Sequence, residues 1–151
     1  MKKEELKIGN IIDFGECNLE LGGNRYDIIT NLEFGSPRLY VSNAKNYRQL
    51  EYCNGIKLSK DVLECTNLIQ KPRKFSKNNL SYILIDSLIL KSVIGASKID
   101  CFFLASESDY YGLIEFSNVQ IKYLHELQNP YYSLVGEELI IDIEKLNNLN
   151  K

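Results

Sequence analysis

The residues best suited to chemistry in this chain form a polar set near its C-terminus, and the set includes the only histidine. Its members fall at i, i+3, i+4 and i+7, a spacing that places side chains on one face of a helix. They are His125, Gln128, Asn129 and Tyr132. An imidazole, two amides and a phenol can donate and accept hydrogen bonds, so the set is a candidate ligand-binding site. The alternative, which is the commoner use of such residues, is a solvated or structural polar face.

A second candidate is a run of basic residues in the middle of the chain. The segment 71–79 holds four basic side chains and a proline without a hydrophobic period, which predicts a loop. Lys71, Arg73 and Lys74 could supply positive charge to a phosphate group. The alternative is that these side chains only keep an exposed loop solvated.

No catalytic constellation is visible in the sequence. A serine or cysteine hydrolase needs a nucleophile, an imidazole base and an orienting acid, and His125 is the only imidazole available. Glu137 and Glu138 are adjacent, and neighbours on a strand point to opposite faces, so they make a poor acid–base pair. The phosphate-binding patterns GxxxxGK[ST] and GxGxxG are both absent. We therefore predict that the protein is not an enzyme.

The four cysteines indicate neither a disulfide framework nor a metal site. They are Cys17, Cys53, Cys65 and Cys101, and no CxxC pair occurs among them. With a single histidine, a Cys/His zinc site would require several of these distant positions to converge. We expect reduced, mostly buried thiols, no metal and no cofactor.

Length and composition favour a single domain, or one domain with a small annex. The chain has 151 residues, of which 44% are hydrophobic and 25% charged, as is ordinary for globular proteins. Its net charge of -2 argues mildly against a dedicated duplex-DNA binder, which usually carries a basic surplus. No signal peptide is recognisable, and no stretch approaches the roughly 20 apolar residues of a membrane helix. We predict a cytoplasmic protein without membrane contact.

Short strands with tight turns and few helices predict an α+β fold that is mostly antiparallel β. Residues 1–70 are expected to contain a small SH3-like sheet or barrel and, near the end of this part, a short middle helix capped by Ser59. Residues 71–79 are the basic loop, and residues 80–151 are expected to form an antiparallel sheet with a packed C-terminal helix. The two parts can form one compact unit.

The polar set belongs to this C-terminal helix. The predicted apolar face of the helix consists of Leu124, Leu127, Tyr131 and either Leu134 or Val135. Gly136 stands where a helix C-cap is expected. Pro130 removes a backbone donor and crowds the preceding turn, so it predicts a kinked helix or a break that would separate the polar side chains. Residues 137–143 are then predicted to return as a strand.

Two motifs at the ends of the chain carry a resemblance to a known group of proteins. The first has the form LxIGN, with Leu6, Ile8, Gly9 and Asn10. The second has the form YxHxLQNxxxxLxGEEL and runs from Tyr123 to Leu139. In these motifs the chain is similar to a family of uncharacterised proteins of Bacteroidota-like bacterial and phage genomes, which carry leucine where Pro130 stands here. The resemblance implies an origin in a phage or another mobile element.

From these observations we expect a non-enzymatic binding protein. It would sequester a small anionic, nucleotide-type signalling ligand, counter a host defence by doing so, and form a homo-oligomer. One alternative is an adaptor or inhibitor that docks on a host protein through some of its ten tyrosines. Another is an RNA or single-stranded DNA binder that uses the basic loop and stacking tyrosines.

Overall fold

The computed structural model describes residues 5–15, 24–33, 35–36, 38–41, 48–72, 80–85, 88–94, 100–108, 112–115 and 120–149. Within these ranges the chain forms two antiparallel sheets, in which the strands pair in sequence order. The first sheet consists of β1 (Ile11–Asp13), β2 (Tyr26–Leu32), β3 (Arg38–Val41) and β4 (Arg48–Gln49). The second consists of β5 (Ile69–Pro72), β6 (Leu80–Ile85), β7 (Leu88–Ile94), β8 (Asp100–Ser108) and β9 (Gly112–Glu115). The predicted α+β class and its antiparallel sheets are confirmed.

The first sheet curls back on itself after β4. A short 3-10 helix, Leu50–Tyr52, redirects the chain towards β1. There the backbone N–H of Asp13 donates to Asn54 over 2.9 Å, and the N–H of Asn54 donates back over 2.8 Å. This single bridge leaves the sheet curled but open. Of the two predicted forms, a sheet or a barrel, the described strands therefore form the sheet.

Strand β5 corrects the predicted start of the basic loop. Lys71 and Pro72 pair with Ser81 and Leu80 of β6, so both belong to the second sheet and not to a loop. A proline fits there because β5 lies at the edge of the described sheet, where one side of the strand needs no ladder donor. The remainder of the predicted loop, 73–79, lies outside the described residues.

Three α-helices connect and cover the sheets in the described part of the chain: α1 (Lys60–Leu63), α2 (Leu124–Val135) and α3 (Ile143–Asn148). The Ser59 hydroxyl caps α1 as predicted, accepting the N–H of Val62 over 3.2 Å. None of the described helices is long and apolar enough to cross a membrane.

Helix α2 continues through Pro130 without the break that the sequence allowed. At its start, the Glu126 carboxylate accepts the backbone N–H groups of Lys122 and Tyr123, over 2.7 and 3.1 Å. At its end, Gly136 adopts the left-handed conformation, with φ of 81°, in which a side chain would be strained. The two termini are therefore fixed by local hydrogen bonds.

The apolar face of α2 joins the two sheets in one core. Leu124, Leu127 and Tyr131 are buried, and they belong to the same hydrophobic cluster as Ile11 of β1 and Phe102 of β8. A smaller cluster fills the other face of the first sheet. It contains Leu6, Ile12, Phe14, Ile29, Leu39, Val41 and Cys53. Successive residues of a strand point to opposite faces, which explains why neighbouring residues of β1 enter different clusters.

The segment after α2 differs from the predicted strand at 137–143. Only Ile141 makes a β-bridge there, to Thr66. Helix α3 begins at Ile143 because the Asp142 carboxylate accepts the N–H of Lys145 over 2.9 Å and so favours a helical turn.

Two leucines of α2 provide a matched test of this packing. Leu127 is 0% exposed and Leu134 is 53% exposed. Because Leu127→Ala leaves a core cavity, it should lower the free energy of unfolding by about 2–5 kcal/mol. Leu134→Ala should change it by less than about 0.5 kcal/mol. Urea unfolding measures both, and equal losses would contradict the placement of α2.

Candidate functional site

Gln128, one of the predicted ligand-binding residues, makes hydrogen bonds to the N-terminal segment. Its side chain is buried on α2. The side-chain oxygen accepts the backbone N–H of Ile11 over 3.1 Å, and the side-chain nitrogen donates to the carbonyl of Gly9 over 3.2 Å. The amide therefore serves as a backbone partner where β1 begins. Gly9 itself has φ of 93°, a conformation that favours glycine.

Asn129 extends the same contact. Its oxygen accepts from the Asn10 side chain over 3.1 Å, and its nitrogen donates to the Glu5 carbonyl over 2.8 Å. The Asn10 oxygen in turn accepts the N–H of Lys7 over 2.8 Å. We call Asn10, Gln128 and Asn129 the amide clamp. The clamp brings the two motifs found at opposite ends of the sequence into direct contact.

A shallow groove of about 220 Å³ lies beside the amide clamp. It is lined by Lys7, Ile8, Asn10, Gln128, Asn129, Tyr132 and Glu138. Ile8 and Tyr132 are 59% and 48% exposed, so they are the accessible apolar surface of the groove. The predicted site residues Gln128, Asn129 and Tyr132 thus line one groove. The side chains of Gln128 and Asn129 are already hydrogen-bonded to the backbone of the N-terminal segment.

His125 faces a different cavity, one turn away on the same helix. Its side chain is 1% exposed, yet neither ring nitrogen has a hydrogen-bond partner. It lines a cavity of about 210 Å³ together with Glu5, Asn54, Gly55 and Tyr123. We call this space the His125 cavity. Burial lowers the pKa of the imidazole below its ordinary value of 6.5, and the Glu126 and Glu5 carboxylates oppose that shift only in part.

Two close contacts shape the His125 cavity. The rings of Tyr123 and His125 stack with centroids 5.7 Å apart and planes within 11°. The backbone of Gly55 lies directly against them. A Cβ atom at position 55 would stand 2.7 Å from the Tyr123 ring and 3.1 Å from Cε1 of His125. Only glycine lets the chain pass this close to the aromatic pair.

Gly55 also lines a second, wider site. It is a cleft of about 490 Å³ between the first sheet, helix α1 and the residue that follows α3. It is lined by Asp13, Arg25, Tyr26, Gly55, Ile56, Lys57, Leu58, Ser59, Asp61, Val62 and Leu149. We call it the Arg25–Lys57 cleft. Two cationic and two carboxylate side chains line it, so the charges balance.

The cation of Arg25 is held in a fixed orientation at this cleft. Its guanidinium donates to both carboxylate oxygens of Asp13, with the shortest contact at 3.0 Å. It also lies over the Tyr26 ring, 5.4 Å from the centroid. Paired and stacked contacts of this kind fix the plane of the guanidinium.

Of the three predicted basic residues, only the backbone position of Lys71 is described. Lys71 lies in β5, while Arg73 and Lys74 are outside the described residues. Arg25 and Lys57, which line the cleft, are not among the residues predicted from the sequence. The available signal was the segment Gly55-Ile56-Lys57-Leu58-Ser59, a glycine followed by a lysine just before a helix cap.

The cysteines form no cluster in the described part of the chain. Cys53 and Cys65 are buried, Cys101 is half-buried, and all three are free thiols. Burial raises the pKa of the Cys65 thiol, which keeps it protonated. Cys17 lies outside the described residues. No group of three potential metal ligands is found among the residues described.

The chain matches no protein-family model, no curated protein and no solved structure.

The amide clamp predicts a specific cost for removing Gln128. Gln128→Met keeps most of the side-chain volume but leaves the N–H of Ile11 and the carbonyl of Gly9 without their partner. We expect a loss of about 2–4 kcal/mol in the free energy of unfolding, since an unsatisfied buried group costs about 1–3 kcal/mol. The exposed Gln49 is the control, and Gln49→Met should change stability little. Equal unfolding midpoints for wild type and Gln128→Met would contradict the clamp.

Burial of His125 predicts a pH dependence of stability. The unfolded chain takes up a proton on this imidazole near pH 6.5, whereas the folded protein resists protonation until lower pH. Stability should therefore fall as the pH drops from about 7.5 to 5.5. The His125→Phe variant should lose less over the same range, because the carboxylate contributions are common to both proteins. Urea unfolding at each pH measures the difference, and parallel pH profiles would refute the burial of a neutral imidazole.

Proposed function

We propose that this protein is a non-enzymatic binding protein that holds a small nucleotide-type anion in the Arg25–Lys57 cleft. The observation that carries the proposal is a 490 Å³ cleft lined by two cations, two carboxylates and apolar walls. Sites for small ligands usually enclose about 300–1,000 Å³ and combine apolar walls with a few polar groups. The cleft has both properties.

The charges in the cleft suit different parts of a nucleotide. Lys57 is exposed and offers a compact positive charge to a phosphate. Arg25 adds a guanidinium whose orientation Asp13 already fixes. The Asp61 carboxylate can accept a hydrogen bond from a ribose hydroxyl or a base N–H. Cations and carboxylates together therefore suit a ligand with an anionic group at one end and hydrogen-bond donors at the other.

A binding role needs affinity and no bond-making chemistry. The only imidazole of the chain is His125, which lines the separate His125 cavity, so it is not placed to act as a base on a ligand in the cleft. Sequestration of a signalling nucleotide in the cytoplasm, against a host defence, is the biological role that we attach to this proposal. Assembly into a homo-oligomer belongs to the same proposal.

Calorimetric titration with mononucleotides, dinucleotides and cyclic nucleotides tests the proposal. At least one of them should bind, and Lys57→Glu should weaken that binding by at least about tenfold, because a charge-assisted hydrogen bond contributes about 1.5–3 kcal/mol. Binding should also weaken with added salt.

The control is Lys122→Glu, which makes the same charge change at an exposed lysine that lines neither this cleft nor the His125 cavity. It should leave the affinity unchanged. Absence of binding across the panel by folded protein, or equal weakening by the two variants, would refute the cleft as the nucleotide site.

A further inference from the structure

We infer that the Arg25–Lys57 cleft selects guanine among the nucleobases, because the Asp61 carboxylate matches the two neighbouring N–H donors on the guanine edge. The inference rests on the proposed function, since it names the class of nucleotide that the same cleft holds. Two observations carry it: the two carboxylates of the cleft have different surroundings, and Asp61 is separated from the phosphate-binding Lys57 along the chain.

Asp13, the first of the two carboxylates, is already engaged by the protein. Its Oδ1 accepts the backbone N–H of Gly15 over 2.7 Å and Nε–H of Arg25 over 3.1 Å. Its Oδ2 accepts from Nε and Nη2 of the same guanidinium, over 3.3 and 3.0 Å. A carboxylate has about four acceptor positions. Asp13 therefore holds the wall of the cleft and is not the group that reads a ligand.

Asp61, the second carboxylate, has the opposite surroundings. It is an exposed residue of α1 that lines the cleft. Within the described part of the chain its carboxylate takes part in no hydrogen bond and no ion pair, and the adjacent Lys60 pairs with Glu64 over 3.5 Å instead. Both oxygens of Asp61 are therefore open to a ligand in the cleft.

The chemistry of a carboxylate defines the base that it prefers. An ionised carboxylate only accepts hydrogen bonds, and its two oxygens fit two donors that lie side by side. Guanine has such an edge, with N1–H beside the N2 amino group. Adenine and cytosine place an amino donor beside a ring acceptor, and uracil has one N–H between two carbonyls. Those acceptors would face a negative charge, so the carboxylate discriminates against all three bases.

The path of the chain assigns Asp61 to the base and not to the ribose. Lys57 forms a β-bridge with Tyr123, and Ser59 is extended, with φ of -146° and ψ of 169°. Two extended residues span roughly 7 Å of backbone. Within a nucleotide the ribose adjoins the phosphate and the base edge lies at the far end. A phosphate on Lys57 therefore leaves the base edge as the part of the ligand that reaches Asp61.

Arg25 supplies a surface on which a planar base can pack. Its guanidinium is oriented by Asp13 and lies 5.4 Å from the centroid of the Tyr26 ring, while 33% of the side chain stays exposed. Guanidinium planes stack on aromatic rings. Because Asp13 offsets the charge of this cation, Lys57 remains the stronger site for the phosphate.

The nucleotides GMP, IMP and AMP are matched probes, because they share ribose and phosphate and differ at the base edge. IMP keeps N1–H but lacks the amino group, and AMP offers an acceptor at N1. Calorimetric titration of the full-length protein should give the tightest binding for GMP. IMP should bind at least about tenfold more weakly, and AMP more weakly still, since a hydrogen bond to a charged group contributes about that factor. Removal of the 2′-hydroxyl from GMP should leave its affinity unchanged.

The Asp61→Asn variant tests the assignment by an exchange of specificity. An asparagine offers one acceptor beside one donor, which matches N1–H and the C2 carbonyl of xanthine. The variant should lose at least about tenfold in GMP affinity and gain at least about tenfold in XMP affinity. A role of Asp61 in helix stability alone would not produce that gain. The control is Glu64→Gln, which makes the same change at an exposed residue that does not line the cleft and should alter neither affinity.

The possible results separate this inference from the proposed function. Equal affinities for GMP, IMP and AMP, or an unchanged preference for GMP over XMP in Asp61→Asn, would overturn the guanine inference. The cleft would then remain a nucleotide site if Lys57→Glu still weakened binding. Equal binding of the three bases together with a loss of affinity for 2′-deoxy-GMP would assign Asp61 to the ribose and would also overturn it. Absence of binding by every nucleotide would refute the inference and the proposed function together.

Discussion

Side-chain amides from the C-terminal helices act as strand partners for the first sheet, and the rest of the structure depends on this arrangement. Gln128 of α2 binds the backbone at the start of β1, and Asn147 of α3 binds both the N–H and the carbonyl of Tyr26 at the start of β2, over 3.0 and 3.2 Å. Buried backbone groups need partners, and a sheet of short strands provides few of them. The N-terminal sheet therefore obtains part of its hydrogen bonding from residues more than a hundred positions away in the chain.

The same arrangement positions the two candidate sites. With α2 fixed against β1, the segment 54–59 is held along the start of the helix by two backbone bonds, from Leu58 to Lys122 over 2.8 Å and from Leu124 to Ile56 over 2.9 Å. Gly55, within this segment, lines both the His125 cavity and the Arg25–Lys57 cleft. A change that loosened the amide clamp would therefore reach both sites. The two sites differ in charge. The residues that line the His125 cavity include the Glu5 carboxylate and no lysine or arginine, whereas the Arg25–Lys57 cleft is lined by two cations and two carboxylates.

Local signals in the sequence predicted local structure well. The Ser59 cap, the apolar face of α2 and the Gly136 terminus all depend on neighbours within a few residues. The roles of Gln128 and Asn129 could not be read in this way, because spacing places them on one helix face without showing what lies opposite. The sequence also did not separate His125 from Gln128, which face different cavities although they are one turn apart. Pro72 was a misleading signal, since a proline marks a loop only when no sheet edge is available.

Native-state hydrogen exchange of the Ile11 amide tests the central claim most directly. This N–H donates to Gln128, so exchange requires the clamp to open. If the first sheet and α2 form one cooperative unit, the Ile11 amide should exchange with the same free energy as the Leu127 amide in the middle of α2. Exchange of Ile11 at a much lower free energy, while Leu127 stays protected, would contradict the account by showing that the N-terminal segment opens independently of the helix.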